Sequence, residues 1–160
     1  MLYLLGIQKV NDNVIARNRE ALRDYHILET VEAGIALSGT EVKSLRNHQT
    51  SLRESFARVE KGEVFVYNLH ISPYEQGSIF NPDPKRARKL LLHRSQIRDF
   101  IAKTELKGLA LIPLKLYFKG GLVKVELALA KGKRQFDKRE AIKARDHARE
   151  IQRALHRKNK

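Results

Sequence analysis

A chain of 160 residues, 42% hydrophobic and 31% charged, fits one soluble domain with a real core and a polar extension. The absence of cysteine excludes a disulfide scaffold, Cys-ligated zinc and a thiol nucleophile, and it suits a reducing cytoplasm. With 32 Lys and Arg against 18 Asp and Glu, the net charge of +14 points to a polyanion, nucleic acid before an anionic membrane surface.

Residues 1–13 begin with an apolar run, Leu2 to Ile7, too short to span a bilayer and followed by no small-residue cleavage site. They are expected to form a disordered extension, and the expected compartment is the cytoplasm. The spacing of Ile15 and Leu22 predicts a short helix over residues 14–22. From residue 25 to 37 the β-branched Ile27, Val31 and Ile35 read as one or two strands, with Gly34 as a bulge or bend.

Ser38-Gly39-Thr40-Glu41 has the spacing of a capping box. It starts a helix that turns Val42 and Leu45 inward and stops at Asn47. Residues 55–59 and 64–69 flank a Gly-containing turn and predict a hairpin. Residues 71–88 read as a loop punctuated by Pro73, Gly77, Pro82 and Pro84. The loop ends in a basic run, Lys85, Arg86, Arg88 and Lys89, and residues 90–92 read as core. Ile97, Phe100, Ile101 and Thr104 share one face of a helix over residues 95–107, closed by Gly108.

The clearest strands come last. Ala110, Ile112, Leu114, Leu116 and Phe118 alternate against Lys115, Tyr117 and Lys119. After Gly120-Gly121, Val123, Val125, Leu127 and Leu129 alternate against the outward Lys124 and Glu126. Such alternation on both sides of a Gly-Gly turn is a hairpin signature. The chain is therefore expected to be mainly β. The expected fold is an OB-like closed antiparallel barrel of about six strands over residues 14–131, with two to three short helices and a basic C-terminal tail over residues 132–160.

From Lys131 to Lys160 there are 12 Lys and Arg against 4 Asp and Glu, so more than half of the net charge sits in the last thirty residues. Ala141, Ala144, Ala148, Ile151 and Leu155 recur at helical spacing, but the stripe is narrow and an isolated helix of this kind is marginal in water. The tail is expected to be disordered when free and helical in a negatively charged channel; a helix docked on the chain's own sheet is the alternative.

Signals for catalysis are weak. The six histidines are scattered without metal-ligand spacing, and Gly132-Lys133-Arg134 ends like a phosphate loop but has Leu127 where that pattern needs glycine. Asp24, Glu29, Glu32 and Glu41 lie close in sequence, yet nothing in their spacing demands a metal. The run at residues 85–89, joined by Lys115, Lys119 and Lys124, suits phosphate contacts. Aromatics are sparse, at 7%, which favours recognition of a folded RNA by shape over base stacking.

Several stretches in order carry a family resemblance: residues 32–46 (EAGIALSGTEVKSLR), 83–92 (DPKRARKLLL), 113–119 (PLKLYFK), 124–133 (KVELALAKGK), and Asp137-Lys138-Arg139. From about Asn18 onward the chain resembles the small protein B family, the SsrA-binding proteins of bacterial ribosome rescue. The resemblance implies an OB-like barrel with added helices and without catalytic activity; no metal, cofactor or membrane partner is expected. It implies binding to the tRNA-like domain of transfer-messenger RNA and delivery of that RNA to the empty A site of a stalled ribosome, with elongation factor Tu as a partner through the RNA. Matching positions assign RNA contact to Glu32, Leu91 and Lys124, beside the basic Lys85, Arg86, Arg88, Lys89 and Lys119. Gly132, Lys133, Arg134, Asp137, Lys138 and Arg139 match the junction and the decoding-centre segment, and the residues beyond would be helical in the vacant messenger channel. One departure is the first helix, where Glu20 and Leu22 stand in a run that is usually more basic in the family. A structural ribosomal protein and a metal-dependent RNA-processing enzyme are the rival readings from other classes.

Overall fold

The computed structural model describes residues 13–158, so the expected disordered extension lies outside the described residues except for its last position. The elements in chain order are β1 (Asn13–Arg17), α1 (Arg19–Asp24), β2 (Tyr25–Ile35), α2 (Gly39–Arg46), β3 (Thr50–Ser51), β4 (Phe56–Glu60), β5 (Glu63–Tyr67) and β6 (His70–Ile71). A 3-10 turn (Ser78–Phe80), β7 (Arg88–Leu91), α3 (Arg94–Lys107), β8 (Ala110–Lys119), β9 (Leu122–Gly132) and α4 (Gln135–Lys158) follow.

Pairing runs β8–β4–β5–β7–β2–β9, and β9 pairs with β8 again, so six antiparallel strands close into a ring. Two hairpins set its register. Gly120 and Gly121 both take positive φ, 57° and 76°, the tight turn that matches strand twist and that side chains resist. The β4–β5 hairpin turns at Lys61-Gly62. Inside the ring, Leu45, Val64, Val66, Leu90, Leu116 and Leu127 are almost wholly buried, each worth roughly 1.5–3 kcal/mol of transfer free energy. Ile97 and Phe100 of α3 join this cluster, as their helical spacing requires. The capping box at Ser38 and Glu41 is present, and Asn47 caps the end of α2.

Three expectations are corrected. Residues 13–17 are a strand, and the helix starts only at Arg19. Along its outer edge β8 meets β4 only at Leu111, which leaves Lys115 to Phe118 open, and β1 pairs there. An unpaired edge outweighs the local helical spacing of Ile15 and Leu22. Asn18 fixes the switch: its Oδ1 accepts from Ala21 N–H at 3.2 Å to cap α1, while its Nδ2 donates to Pro113 O at 3.1 Å and its backbone N–H to Leu114 O at 2.7 Å.

Asn18 thereby plugs a second irregularity. The register of β8 slips between Pro113 and Lys115, and one extra residue reverses which side chains face the core. Leu111 and Leu116 face in, whereas Ala110, Ile112 and Leu114 join an outer cluster with Ala21 and Ala130. The expected common face from Ala110 to Phe118 is therefore split in two. The irregularity of β2 lies between Ile27 and Glu29, not at Gly34.

Candidate nucleic-acid interface

Gly34 is the centre of the first candidate site. It pairs with Lys124 of β9 on one side and with Leu91 of β7 on the other, so Leu91, Gly34 and Lys124 form one row across three strands. Glu32 lies two residues back and shares that face, because strand side chains alternate. Together with Lys89, these residues line an open cleft of about 570 Å³ whose far wall is the start of α3, with His93, Arg94 and Gln96. Leu91 is 53% exposed although both neighbouring positions are apolar. A Cβ on Gly34 would sit 3.2 Å from the Leu91 Cβ, so the missing side chain is what lets Leu91 lie close over β2.

The Glu32 carboxylate accepts from the Tyr117 hydroxyl and from Lys119 Nζ at 3.1 Å. These two bonds, with Lys124 nearby, hold its pKa below the usual glutamate range against a small opposing effect of burial. The group stays an anion in a basic cleft, an acceptor for base or ribose hydrogens. Tyr117 pairs directly with Lys124 across the hairpin and carries Lys115 Nζ over its ring at 5.1 Å. Sequence alternation placed Tyr117 with the outward lysines; its role as the clamp on Glu32, 85 residues away, left no local signal.

The basic run at residues 85–89 divides. Lys85 is exposed, and Lys89 sits on the cleft wall in an ion pair with Glu63. Arg88 does not offer its charge to solvent: it is 0% exposed, with Nε on Glu41 at 2.8 Å and its other nitrogens on Leu69 O, Arg86 O and Pro84 O. Arg86 grips both oxygens of the same carboxylate, at 2.7 and 2.9 Å. The expectation that Arg88 contacts phosphate is thus corrected, and Arg86 is committed to the same buried pair. Both guanidiniums tie the loop to α2, and the outward charges left are Lys85 and Lys89.

The second candidate site lies at the far end of β2. Tyr25 pairs with Gly132, whereas Gly34 pairs with Lys124. Roughly nine residue steps at about 3.3 Å put the two sites about 30 Å apart along one ribbon. Gly132 is exposed, and Lys133 follows it onto the C-terminal end of α1, its N–H on Asp24 O at 2.9 Å and its Nζ on Leu22 O at 3.2 Å. Lys138 Nζ approaches the Asp24 carboxylate at 3.9 Å. Cations suit a helix C-terminus, where carbonyls lack partners. Arg134 and Arg139 are exposed, and Asp137 lies in the first turns of α4. Beyond, α4 carries Ile142, Ile151 and Leu155 exposed to solvent.

The four acids considered for a metal do not converge. Asp24 faces Arg23, Glu29 faces Lys103, Glu32 faces Lys119, and Glu41 faces its two arginines. Among the described residues no group of three or more His, Asp or Glu is placed to hold a metal, and no helix is long and apolar enough to cross a membrane.

A family model described as SmpB protein matches residues 15–157. The SsrA-binding protein of Carboxydothermus hydrogenoformans is 61% identical over 90% of this chain and 97% of its own length. That of Pelotomaculum thermopropionicum is 63% identical over 89% of this chain and 93% of its own. Among solved structures, a chain described under "tmRNA-SmpB: a journey to the center of the bacterial ribosome" superposes with a TM-score of 0.64 at 55% identity, covering 79% of this chain and 93% of that one.

Proposed function

The chain belongs to the SmpB protein family, and from that membership we propose that it is an RNA-binding factor of trans-translation. It binds the tRNA-like domain of transfer-messenger RNA, accompanies it with elongation factor Tu to the A site of a stalled ribosome, and enables peptide tagging and ribosome rescue. Its work is binding and placement, not catalysis. The six-stranded ring acts as an OB-like platform, and the basic tail is the part that reaches the small-subunit decoding centre and the messenger channel.

The observation that carries this reading is the row Leu91–Gly34–Lys124 with Glu32 beside it, opened as a cleft about 30 Å from the tail junction. Two sites so far apart suit two RNAs. Leu91 supplies apolar surface to a ribose or base edge, Lys124 and Lys89 neutralise phosphate, and the clamped Glu32 anion accepts a hydrogen bond. Lys119 keeps Glu32 charged and joins the basic rim, and Lys85 extends that rim. At the other end Gly132, Lys133 and Arg134 form the joint, and Asp137, Lys138 and Arg139 start a helix that enters the decoding centre. Although α4 is helical here, its thin apolar stripe is exposed, and in our reading the tail is disordered in the free protein and is held helical by the vacant channel.

The test separates the two sites. Lys124→Ala weakens binding to a transcript of the tRNA-like domain and lowers the slope of log affinity against log salt by about one. Deleting residues 137–160 leaves most of that binding intact but abolishes tagging on stalled ribosomes. A truncated chain that still supports tagging overturns the two-site reading.

A further inference from the structure

The outer face of β4, β5 and β7 adjoins the cleft. Val64, Val66 and Leu90 point into the core, so the residues between and beside them point out. Register sets Phe56 opposite Tyr67, and Arg58 opposite Phe65, which in turn faces Lys89. Phe56 and Tyr67 stack with centroids 5.4 Å apart and planes inclined by 19°. The Arg58 guanidinium lies over both rings, at 5.5 and 5.6 Å. Its side chain is 62% exposed, and its pair with Glu60 is loose, at 3.8 Å.

The sparse aromatic content argued against a stacking platform, yet three of the 6 Phe and 5 Tyr gather here with a cation over two of them. The patch is continuous with the cleft through Lys89 and Glu63, which belong to both. The Arg58 guanidinium, backed by the two rings and with its side chain exposed, is open to a further planar group from solvent. Unpaired bases stack on aromatic rings and on arginine planes alike.

We propose that this face seats unpaired nucleotides of the RNA held in the cleft, with one base stacked on the Arg58 guanidinium and its neighbour against Phe65. Lys89 stands between cleft and patch to take the connecting phosphate. The proposal rests on the RNA-binding reading above and adds a base-stacking subsite to it. A protein partner is the competing occupant, but the exposed apolar area is small and is broken by Arg58, Glu60 and Lys89.

The experiment uses the full chain with a transcript of the tRNA-like domain, and Arg58→Lys, Phe65→Leu and Lys124→Ala as variants. Arg58→Lys keeps the charge and loses the plane, and Phe65→Leu keeps apolar bulk and loses the ring. Each is expected to bind about five- to 150-fold more weakly, the range of one lost base stack, while the salt slope stays unchanged. With isotope-labelled Phe and Tyr, the free octanucleotide of adenylate is expected to move the Phe65 and Tyr67 ring signals upfield. Normal transcript binding by Arg58→Lys and Phe65→Leu, with Lys124→Ala still weakened, overturns the stacking subsite alone. Unchanged binding by all three variants, Lys124→Ala included, overturns the RNA-cleft reading beneath it. Weaker ribosome association without weaker transcript binding assigns the face to a contact with the ribosome and also overturns the proposal.

Discussion

Arg88 donates Nε to Glu41 at 2.8 Å in a site where neither side chain reaches solvent, at 0% and 3% exposure. The same carboxylate accepts from the Ser38 N–H at 2.9 Å to close the cap of α2. One anion thus fixes a helix start, the basic loop and the strand leading to Leu91. Burial by itself would raise the Glu41 pKa, but the bonds from Arg86, Ser38 and Arg88 outweigh it and hold the group below the usual carboxylate range.

Glu41→Gln is expected to lower the unfolding free energy by about 3–5 kcal/mol, because it strands a buried guanidinium. Urea denaturation measures this directly. The depressed folded-state pKa also fixes a sign. Stability from Glu41 is complete above the ordinary glutamate pKa of about 4.3 and is lost as pH falls through the lower folded value. The variant's stability deficit should therefore shrink in acid; a deficit constant down to the acid limit contradicts the assignment.

Tyr117→Phe removes one hydroxyl and leaves the ring beneath Lys115. Its bond to Glu32 is the largest influence lowering that carboxylate's pKa, so the Glu32 titration is expected to move up toward the ordinary range. Carboxyl-carbon NMR of Glu32 reads the shift. RNA affinity should drop about fivefold because the acceptor is less well held, with stability lowered by no more than about 3 kcal/mol. An unmoved Glu32 titration would show that the phenol does not hold it.

Gly34→Val is expected to displace Leu91, since even a lone Cβ comes within 3.2 Å of the Leu91 Cβ. Binding to the transcript should weaken by about tenfold, with a much smaller effect from Gly34→Ala, where Leu91 need shift only slightly. Circular dichroism and the melting curve of both variants check that the ring persists. Wild-type affinity in Gly34→Val would remove Leu91 from the interface.

Much of this was written locally. The alternation around Gly120-Gly121, the Ser38–Glu41 cap and the helical spacing of Ile97 and Phe100 are short-range patterns, and the structure keeps each of them. What escaped depends on distant partners. The strand at residues 13–17 exists because β8 leaves an edge open about a hundred residues later. The bulge at Leu114, plugged by Asn18, shifts the phase of a pattern whose count assumes no insertion. Arg88 looked like its neighbours in a charged run, and only Glu41, 47 residues away, makes it a core residue. For the interface, Lys124 was legible as an outward strand lysine. The juxtaposition of Leu91 with it needed the three-strand register through Gly34.

The tail gives the last prediction. Past Lys138, the pairs within α4 are loose and exposed, Lys143 to Glu140 at 3.7 Å and Arg149 to Asp146 at 4.0 Å. Ile142, Ile151 and Leu155 are 42%, 49% and 59% exposed, so the helix gains little from burial to offset its ordering. Its tether is the end of α1, through Lys133 and Lys138 on Asp24 and Leu22. Amides of residues 145–157 are accordingly expected to exchange at close to unprotected rates in the free chain, while those of β9 exchange only on global unfolding. Asp24→Asn weakens the tether and should cost protection at residues 135–141 but none in β9. It should also reduce tagging more than transcript binding, since the Glu32–Lys124 cleft lies at the opposite end of the ribbon. Slow exchange throughout residues 145–157 would instead mean that α4 docks on its own sheet, and the tail would then have to be released before it could enter any channel.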